Sequence, residues 1–400
     1  MPFFEIGSNP EYFDGDLNEQ IVNRIAQECY LPTNEMLLKL IEANPAVKVS
    51  FSISGIALDQ FEEYAPEVIE SFKALAATGS VEFLAETNYH SLASIMPGNE
   101  FEMQIKEHSR RIQELLGVRT TVFRNTELIY NDEIGRKAAQ LGFRGILCEG
   151  IEKMLQDKDP YQLYRHATEE NMSLLLRSNR LSDDIAFRFQ HVHTTLSVQQ
   201  YLGWLKNIPG KESVIVLGMD YETFGEHHKA DTGIRKFLSD LLTHVVVDED
   251  FRLSTPSDVL EALVPNDTFS TTQMISWADR EKDTSAWLGN SMQTDAFDTL
   301  VKLEAEVKKS QSRNLLNTWR YLLTSDHFYY MSTKNEADGS VHSYFSHYAS
   351  PYEAFINYMN VLSDFSLLLK AESVKKHELG TPWQLSLEDV LADYDALIEK

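Results

Sequence analysis

The sequence predicts an α/β fold built on parallel strands, and three observations carry that expectation. Strand-like and helix-like segments alternate over the first 260 residues, and beyond them the pattern changes to long helical stretches rich in aromatics. Composition permits a substantial core, since 43% of the 400 residues are hydrophobic and 11% are aromatic. Repeated strand–helix alternation implies parallel strands joined by crossover helices, in an α/β sheet or a barrel.

Taken in order, residues 33–44 (TNEMLLKLIEAN) start at a capping Thr33 or Asn34 and repeat apolar positions at helical spacing. Residues 47–53 alternate apolar with polar and stop at Gly55, as a strand does. Helical spacing returns over 60–77, Ser80 to Leu84 reads as a strand, and an amphipathic helix over 100–116 ends at Gly117. Strands are expected again at 120–124, 143–148, 173–177 and 213–219, and helices at 131–141, 196–206 and 233–244. Further on, helices are expected over 291–310, 312–325 and 351–371, with short pieces at 325–331 and 341–345 between the last two. This divides the chain into an α/β unit (1–260), a helical subdomain packed on it (261–372) and a polar tail (373–400) with one amphipathic stretch at 386–398.

Lys and Arg number 36 against 61 Asp and Glu, a net charge of −25. Such a surface repels phosphate backbones and anionic lipid, so neither nucleic acid nor membrane is an expected partner, while a neutral substrate is compatible with it. The two cysteines, Cys29 and Cys148, lie far apart without metal-ligand spacing, which points to a reducing compartment rather than a disulfide framework. Residues Met1 to Ile6 show no basic region ahead of an apolar stretch, and no run reaches the roughly 18 apolar residues of a membrane span. A cytoplasmic protein is expected.

In such folds function gathers where strands end and loops begin, and Glu86, Glu127 and Asp220 fall there. Glu127 sits in the run Phe123 to Tyr130, where Arg124 and Asn125 can orient a carboxylate and keep it ionised. Asp220 closes the apolar run Val214 to Met219, and desolvation there would raise its pKa, suiting it to hold a proton. Two acids at the mouths of different strands are what glycosidic bond cleavage needs: one attacks or stabilises the sugar cation, the other shuttles a proton. Glu82, Leu84 and Glu86 share one strand face, which would bring Glu86 to a rim with His90 close behind. Glu82 reads equally as half of a buried ion pair with a core Arg, and His90 as a sugar-hydroxyl partner or a structural histidine. Ser276 to Asp279 and Asp283 to Asn290 combine acids with indole rings, either a platform for a sugar ring or a pair of core tryptophans. The expected substrate-binding set is Glu86, His90, Arg124, Asn125, Glu222, Asp283 and Trp287. His227 and His228, beside Glu226, lack the His-Glu-x-x-His spacing, so no metal site is expected. No Gly-rich phosphate loop or nucleophile elbow is present.

Together these segments resemble glycoside hydrolase family 57, within it the α-amylase group. The likeness is carried by Val81 to Thr87, Phe123 to Glu127, Met219 to His227 and Trp277 to Asn290, with weaker support from Leu181 to Phe189 and Ser254 to Asp258. It runs from about residue 3 to about 370. The resemblance implies an incomplete (β/α)7 barrel with a C-terminal helical subdomain that contributes to the cleft. It also implies retaining cleavage of α-glucans or maltooligosaccharides, with Glu127 as nucleophile and Asp220 as acid/base, their carboxyls about 5–5.5 Å apart. No organic cofactor is implied. The family opens with a strand bearing His-Gln-Pro, and this sequence has none, so the first strand is expected to be missing. That would leave an exposed strand edge and remove a substrate-binding histidine. The alternatives are a 4-α-glucanotransferase or branching enzyme, in which sugar rather than water intercepts the glycosyl-enzyme, and a non-catalytic glucan-binding protein. A metal-dependent deacetylase on a similar barrel would need a ligand triad that the sequence does not offer.

Overall fold

A computed structural model of the chain describes residues 12–155, 157–191, 194–208, 210, 213–334 and 346–380. In chain order the strands are Val49–Ser52 (β1), Val81–Leu84 (β2), Val122–Arg124 (β3), Gly145–Glu149 (β4), Leu163–His166 (β5), Ser173–Arg177 (β6), the short pair Gln190–His191 (β7) and Thr194–Thr195 (β8), and Asp267–Phe269 (β9). β1 and β2 pair in parallel, Ser52 opposite Leu84. A parallel bridge from Ala85 to Phe123 carries the array to β3, then β4, then β6, all parallel. Among the described residues β1 pairs only with β2. Residues 1–11 lie outside the described residues, as do the expected piece at 341–345 and the stretch at 386–398.

The run 213–219 was expected to be a strand and is only partly one. Val216 bridges in parallel to Arg177, and Ser178 N–H donates to the Val216 carbonyl at 2.8 Å. Below that point the same edge of β6 is taken by β5, antiparallel, over Ser173 to Leu175, so little ladder is left for the run to join. β5, with β9 parallel beside it, was not anticipated.

Strand period two sorts the array into two faces. Phe51 and Phe83 pack with Leu37, Ile41, Leu58, Phe61, Phe72 and Leu75 of the flanking helices. Phe123, Ile146, Cys148, Leu174 and Leu176 join a larger core that takes in Leu300, Trp319, Leu322 and Phe365 of the C-terminal helices. The other face carries the apolar cluster Leu84, Val122, Leu175 and Val214. One step towards the strand ends, that face turns polar with Ser52, Glu86, Arg124, Glu149 and Arg177. One step the other way lies Glu82. It meets no Arg: its carboxylate accepts from Ser257 N–H at 2.8 Å and Ser257 Oγ at 2.6 Å, at the start of the helix Pro256–Ala262.

Several helices match expectation, including Glu100–Leu116, which Gly117 ends at φ 72°. The stretch 60–77 is two helices, Gly55–Tyr64 and Pro66–Ala77, because Pro66 forces Ala65 out of the helical region. The expected helix 291–310 is likewise two, Ser291–Lys302 and Glu304–Ser310. An unforeseen helix, Gly15–Ile25, is capped by Asp14 and runs through a π-helical turn, Ala26–Tyr30, into Leu31–Ala43. No helix among the described residues is long and apolar enough to cross a membrane.

Candidate active site

The polar ends of the strands converge on one cleft. Glu86, directly after β2, is 1% exposed. Its Oε2 accepts from Ser52 Oγ at 2.7 Å and Arg124 Nη1 at 3.3 Å, and its Oε1 faces His90 Nδ1 at 3.6 Å. Its N–H donates to His108 Nδ1 at 3.1 Å, so His108 donates from Nε2 to the Ile53 carbonyl at 2.7 Å. Burial works to raise the Glu86 pKa, but His90 and Arg124 outweigh it and hold the group at about 2. Glu86 is therefore placed as an enclosed counter-ion for Arg124 and His90.

Beyond β3 the chain turns sharply, with Glu127 at φ 56° and Leu128 at φ 51°, and His90 across the cleft takes φ 45°. Left-handed backbone at such residues costs on the order of 1–3 kcal/mol each and needs outside support. Thr87 and Thr126 supply some through a 2.5 Å hydroxyl contact. Asn125, fully buried, donates from Nδ2 to the Ile129 carbonyl at 2.8 Å, so it shapes the turn and does not reach the cleft. More support comes from beyond residue 260: Tyr130 and Ile275 exchange backbone bonds at 2.9 Å, Trp277 N–H donates to the Glu127 carbonyl at 3.3 Å, and Ser325 N–H donates to the His90 carbonyl at 3.0 Å.

The Glu127 carboxylate accepts from both sides, from His90 Nε2 at 2.9 Å and from Trp277 Nε1 at 2.6 Å. The Arg124 guanidinium lies 4.9 Å from the Trp277 ring centre. Burial opposes the Glu127 charge, but the His90 hydrogen bond and charge, Arg124 and the Trp277 donor together lower its pKa. Burial likewise opposes a charged His90, and Glu127 and Glu86 overcome it, lifting the imidazole to about 10.

Asp220 arrives on the segment docked against Arg177. Arg177 Nε donates to the Gly218 carbonyl at 2.6 Å, and Gly218 N–H donates to Ser182 Oγ at 3.1 Å. Asp220 is open to solvent on one side, while neighbouring protein groups desolvate its carboxyl. That partial desolvation, then Glu222 and Glu127, push its carboxyl up to about 6, against His227 and Arg124. Glu222 accepts from the Tyr30 hydroxyl, and Tyr221 donates to Asn34 Oδ1 at 2.6 Å. A Cβ on Gly225 would lie 2.3 Å from the Glu28 carbonyl, so only glycine lets this turn dock on the N-terminal helices. Glu226 pairs there with Arg24 and with Lys229 at 2.9 Å. His228 Nε2 bonds the Ala186 carbonyl at 2.9 Å, and among the described residues no three His, Cys, Asp or Glu side chains are grouped to hold a metal.

The structure brings together Glu86, His90, Arg124, Glu127, Asp220 and Glu222, but not all the candidates. Asp283 accepts from Ser285 N–H at 2.8 Å and shapes its own turn. Trp287 is 1% exposed and packs against Tyr329, leaving no ring face for a sugar; the indole at the acid is Trp277. Sequence reasoning missed Arg177, Tyr30 and Asp326. Arg177 carried a readable signal, a charge ending the apolar strand SLLLR. Asp326, in the first turn of the helix Ser325–Tyr329, has its carboxyl pKa raised by desolvation from neighbouring groups and feels the charges of His90 and Glu127.

Residues 2–277 match the family model described as Glycosyl hydrolase family 57. The chain is 41% identical over 374 residues to a Methanocaldococcus jannaschii protein that bears a provisional alpha-amylase name, covering 90% of this chain and 79% of that one. Among solved structures it superposes on a GH57 branching enzyme of Thermococcus kodakaraensis with a TM-score of 0.68 at 12% identity, over 91% of this chain and 88% of the other. It also superposes on an alpha-amylase of Thermotoga maritima with a TM-score of 0.60 at 13% identity, over 91% of each chain. At such identities the structural matches speak for the fold.

Proposed function

The chain belongs to glycosyl hydrolase family 57, and we propose that it cleaves α-glucans with retention, Glu127 acting as nucleophile and Asp220 as acid/base. It is a glycoside hydrolase of the α-amylase-related kind. The strand array is read as the incomplete (β/α)7 barrel of that family, with the cleft at its strand ends.

The observation that carries the mechanism is the opposite setting of the two acids. Glu127 is kept ionised by two N–H donors and nearby cations, as a nucleophile must be. Asp220 holds its proton up to about pH 6, as a general acid must. In the first step Glu127 bonds the anomeric carbon as Asp220 protonates the departing glycosidic oxygen. Water then attacks the glycosyl-enzyme while Asp220 takes the proton back, and two inversions give net retention. His90 and Trp277, already bonded to Glu127, hold its carboxylate during attack. Arg124 supplies positive charge beside the ring of Trp277.

The test is turnover of maltoheptaose and soluble starch, with Glu127→Gln and Asp220→Asn as controls and products read by mass. Loss of turnover in both, with native circular dichroism, supports the assignment; wild-type rates in either sink it. The same intermediate serves transfer when sugar replaces water, and the open face of Asp220 admits either acceptor. Products longer than maltoheptaose would identify a transferase, and only shorter ones a hydrolase.

A further inference from the structure

Arg177 ends β6 and is 3% exposed, yet it donates in three directions. Nη1 meets both oxygens of Glu149 at 3.1 Å, Nη2 meets Asp183 Oδ1, and Nε donates to the Gly218 carbonyl at 2.6 Å. Its guanidinium carbon also lies 5.3 Å from the centre of the Trp277 ring. Each contact is ordinary alone. Together they link two arms: the 214–220 segment that delivers Asp220, and the indole that donates to Glu127 at 2.6 Å.

We propose that Arg177 is a positioning residue that sets the relation between the two reacting carboxyls, acting on Asp220 through the Gly218 carbonyl and on Glu127 through Trp277. This rests on the reading of Glu127 and Asp220 as the working pair. The planar guanidinium explains why Arg stands here: Nη1 lies between the two oxygens of buried Glu149 and Nη2 meets Asp183, which leaves Nε for the Gly218 carbonyl and the π-face for Trp277. A lysine could hold a point charge against Glu149 but could not also reach Gly218 and cover an indole. The run 213–219 forms only one strand bridge, so the Arg177 to Gly218 bond is a large share of what fixes the last residues before Asp220.

Two variants test this, Arg177→Lys and the triple variant Arg177→Met with Glu149→Gln and Asp183→Asn, the second neutralising both carboxylates that Arg177 pairs with. A remote core variant, Leu205→Ala, serves as a stability control. On maltoheptaose, kcat should fall about 100-fold in both Arg177 variants, as a displacement of about 1 Å in a reacting group does, with KM within about threefold. Leu205→Ala should melt lower and keep kcat. A second readout does not need activity: the Asp220 carboxyl, labelled with 13C and assigned by its absence in Asp220→Asn, is titrated. Asp220 is faced by Glu222, Glu127, His227 and Arg124. If Arg177 fixes its place among them, its midpoint moves down towards an ordinary aspartate when the segment swings away. Folded Arg177 variants with wild-type kcat and an unmoved Asp220 midpoint would overturn the proposal. If the wild type fails to turn over any glucan, the functional reading falls, and the carboxyl titration still decides for or against Arg177.

Discussion

The carboxyl of Glu127 accepts from two ring N–H groups beside a guanidinium, whereas that of Asp220 has an open face and two like charges as neighbours. The two residues stand in the same cleft, yet their surroundings push them to opposite protonation states. The difference lies in what holds each one. Glu127 is gripped through its side chain, on a left-handed backbone fixed from three directions. Asp220 is placed through its main chain, by a docked segment, and its side chain is left free to trade a proton. A nucleophile gains from immobility, and an acid/base from access.

The largest effect should come from removing either acid, and the leaving group separates them. Glu127→Gln should lose at least about 10⁴-fold in kcat on every substrate. Asp220→Asn should lose as much on maltoheptaose but far less on α-maltosyl fluoride, because fluoride departs without needing a proton. Equal losses on both substrates would erase the proposed division of roles.

Loosening the grip on Glu127 comes next. Trp277→Phe removes a hydrogen bond to a charged group, about 1.5–3 kcal/mol, so kcat/KM should fall roughly 10- to 100-fold. Its acid limb should also move to higher pH, since a donor that favours the ionised form is gone. His90→Ala should move that limb further the same way, because burial then meets less opposition. An unmoved acid limb in both would mean that Glu127 does not depend on these donors.

The open acid offers a smaller and opposite effect. Wild-type kcat/KM should decline above about pH 6 as Asp220 loses its proton. In Glu222→Gln a like charge disappears, the Asp220 pKa falls, and the alkaline limb should move to lower pH, costing up to about tenfold at pH 7 for a one-unit shift. A shift to higher pH would show that Glu222 does not act on Asp220 by its charge. The smallest effect on chemistry belongs to Trp287→Ala, which should cost about 3–5 kcal/mol in urea unfolding and leave KM unchanged per folded molecule. A raised KM with intact stability would restore Trp287 as a sugar platform.

Much of this was legible in the sequence where local pattern decides. Alternation in Val81 to Glu86 placed Glu86 on the same face as Leu84, and Gly117 marked a helix end that the backbone adopts. What pattern could not show is which partner a side chain meets. Glu82 ends on Ser257, far along the chain, and no spacing within its strand points there. Trp277 and Trp287 have similar local contexts, an indole near an acid, but one reaches Glu127 and the other is sealed in the core. β5 was missed because its residues, Leu163 to His166, mix polar and apolar without a clear period and pair antiparallel in a parallel setting.

The backbone support for His90 and Glu127 also bears on how such a gene can be rearranged. Ser325 holds His90, Trp277 holds Glu127 and Ile275 holds nearby Tyr130 through main-chain bonds, which depend little on side-chain identity but wholly on the chain being there. A crossover near residue 260 that exchanged the helical part for a foreign one would keep both acids and lose the bonds that fix one of them. Shuffled descendants should therefore inherit residues 261–331 together with the strands, and substrate preference should diversify in loops that do not touch this seam.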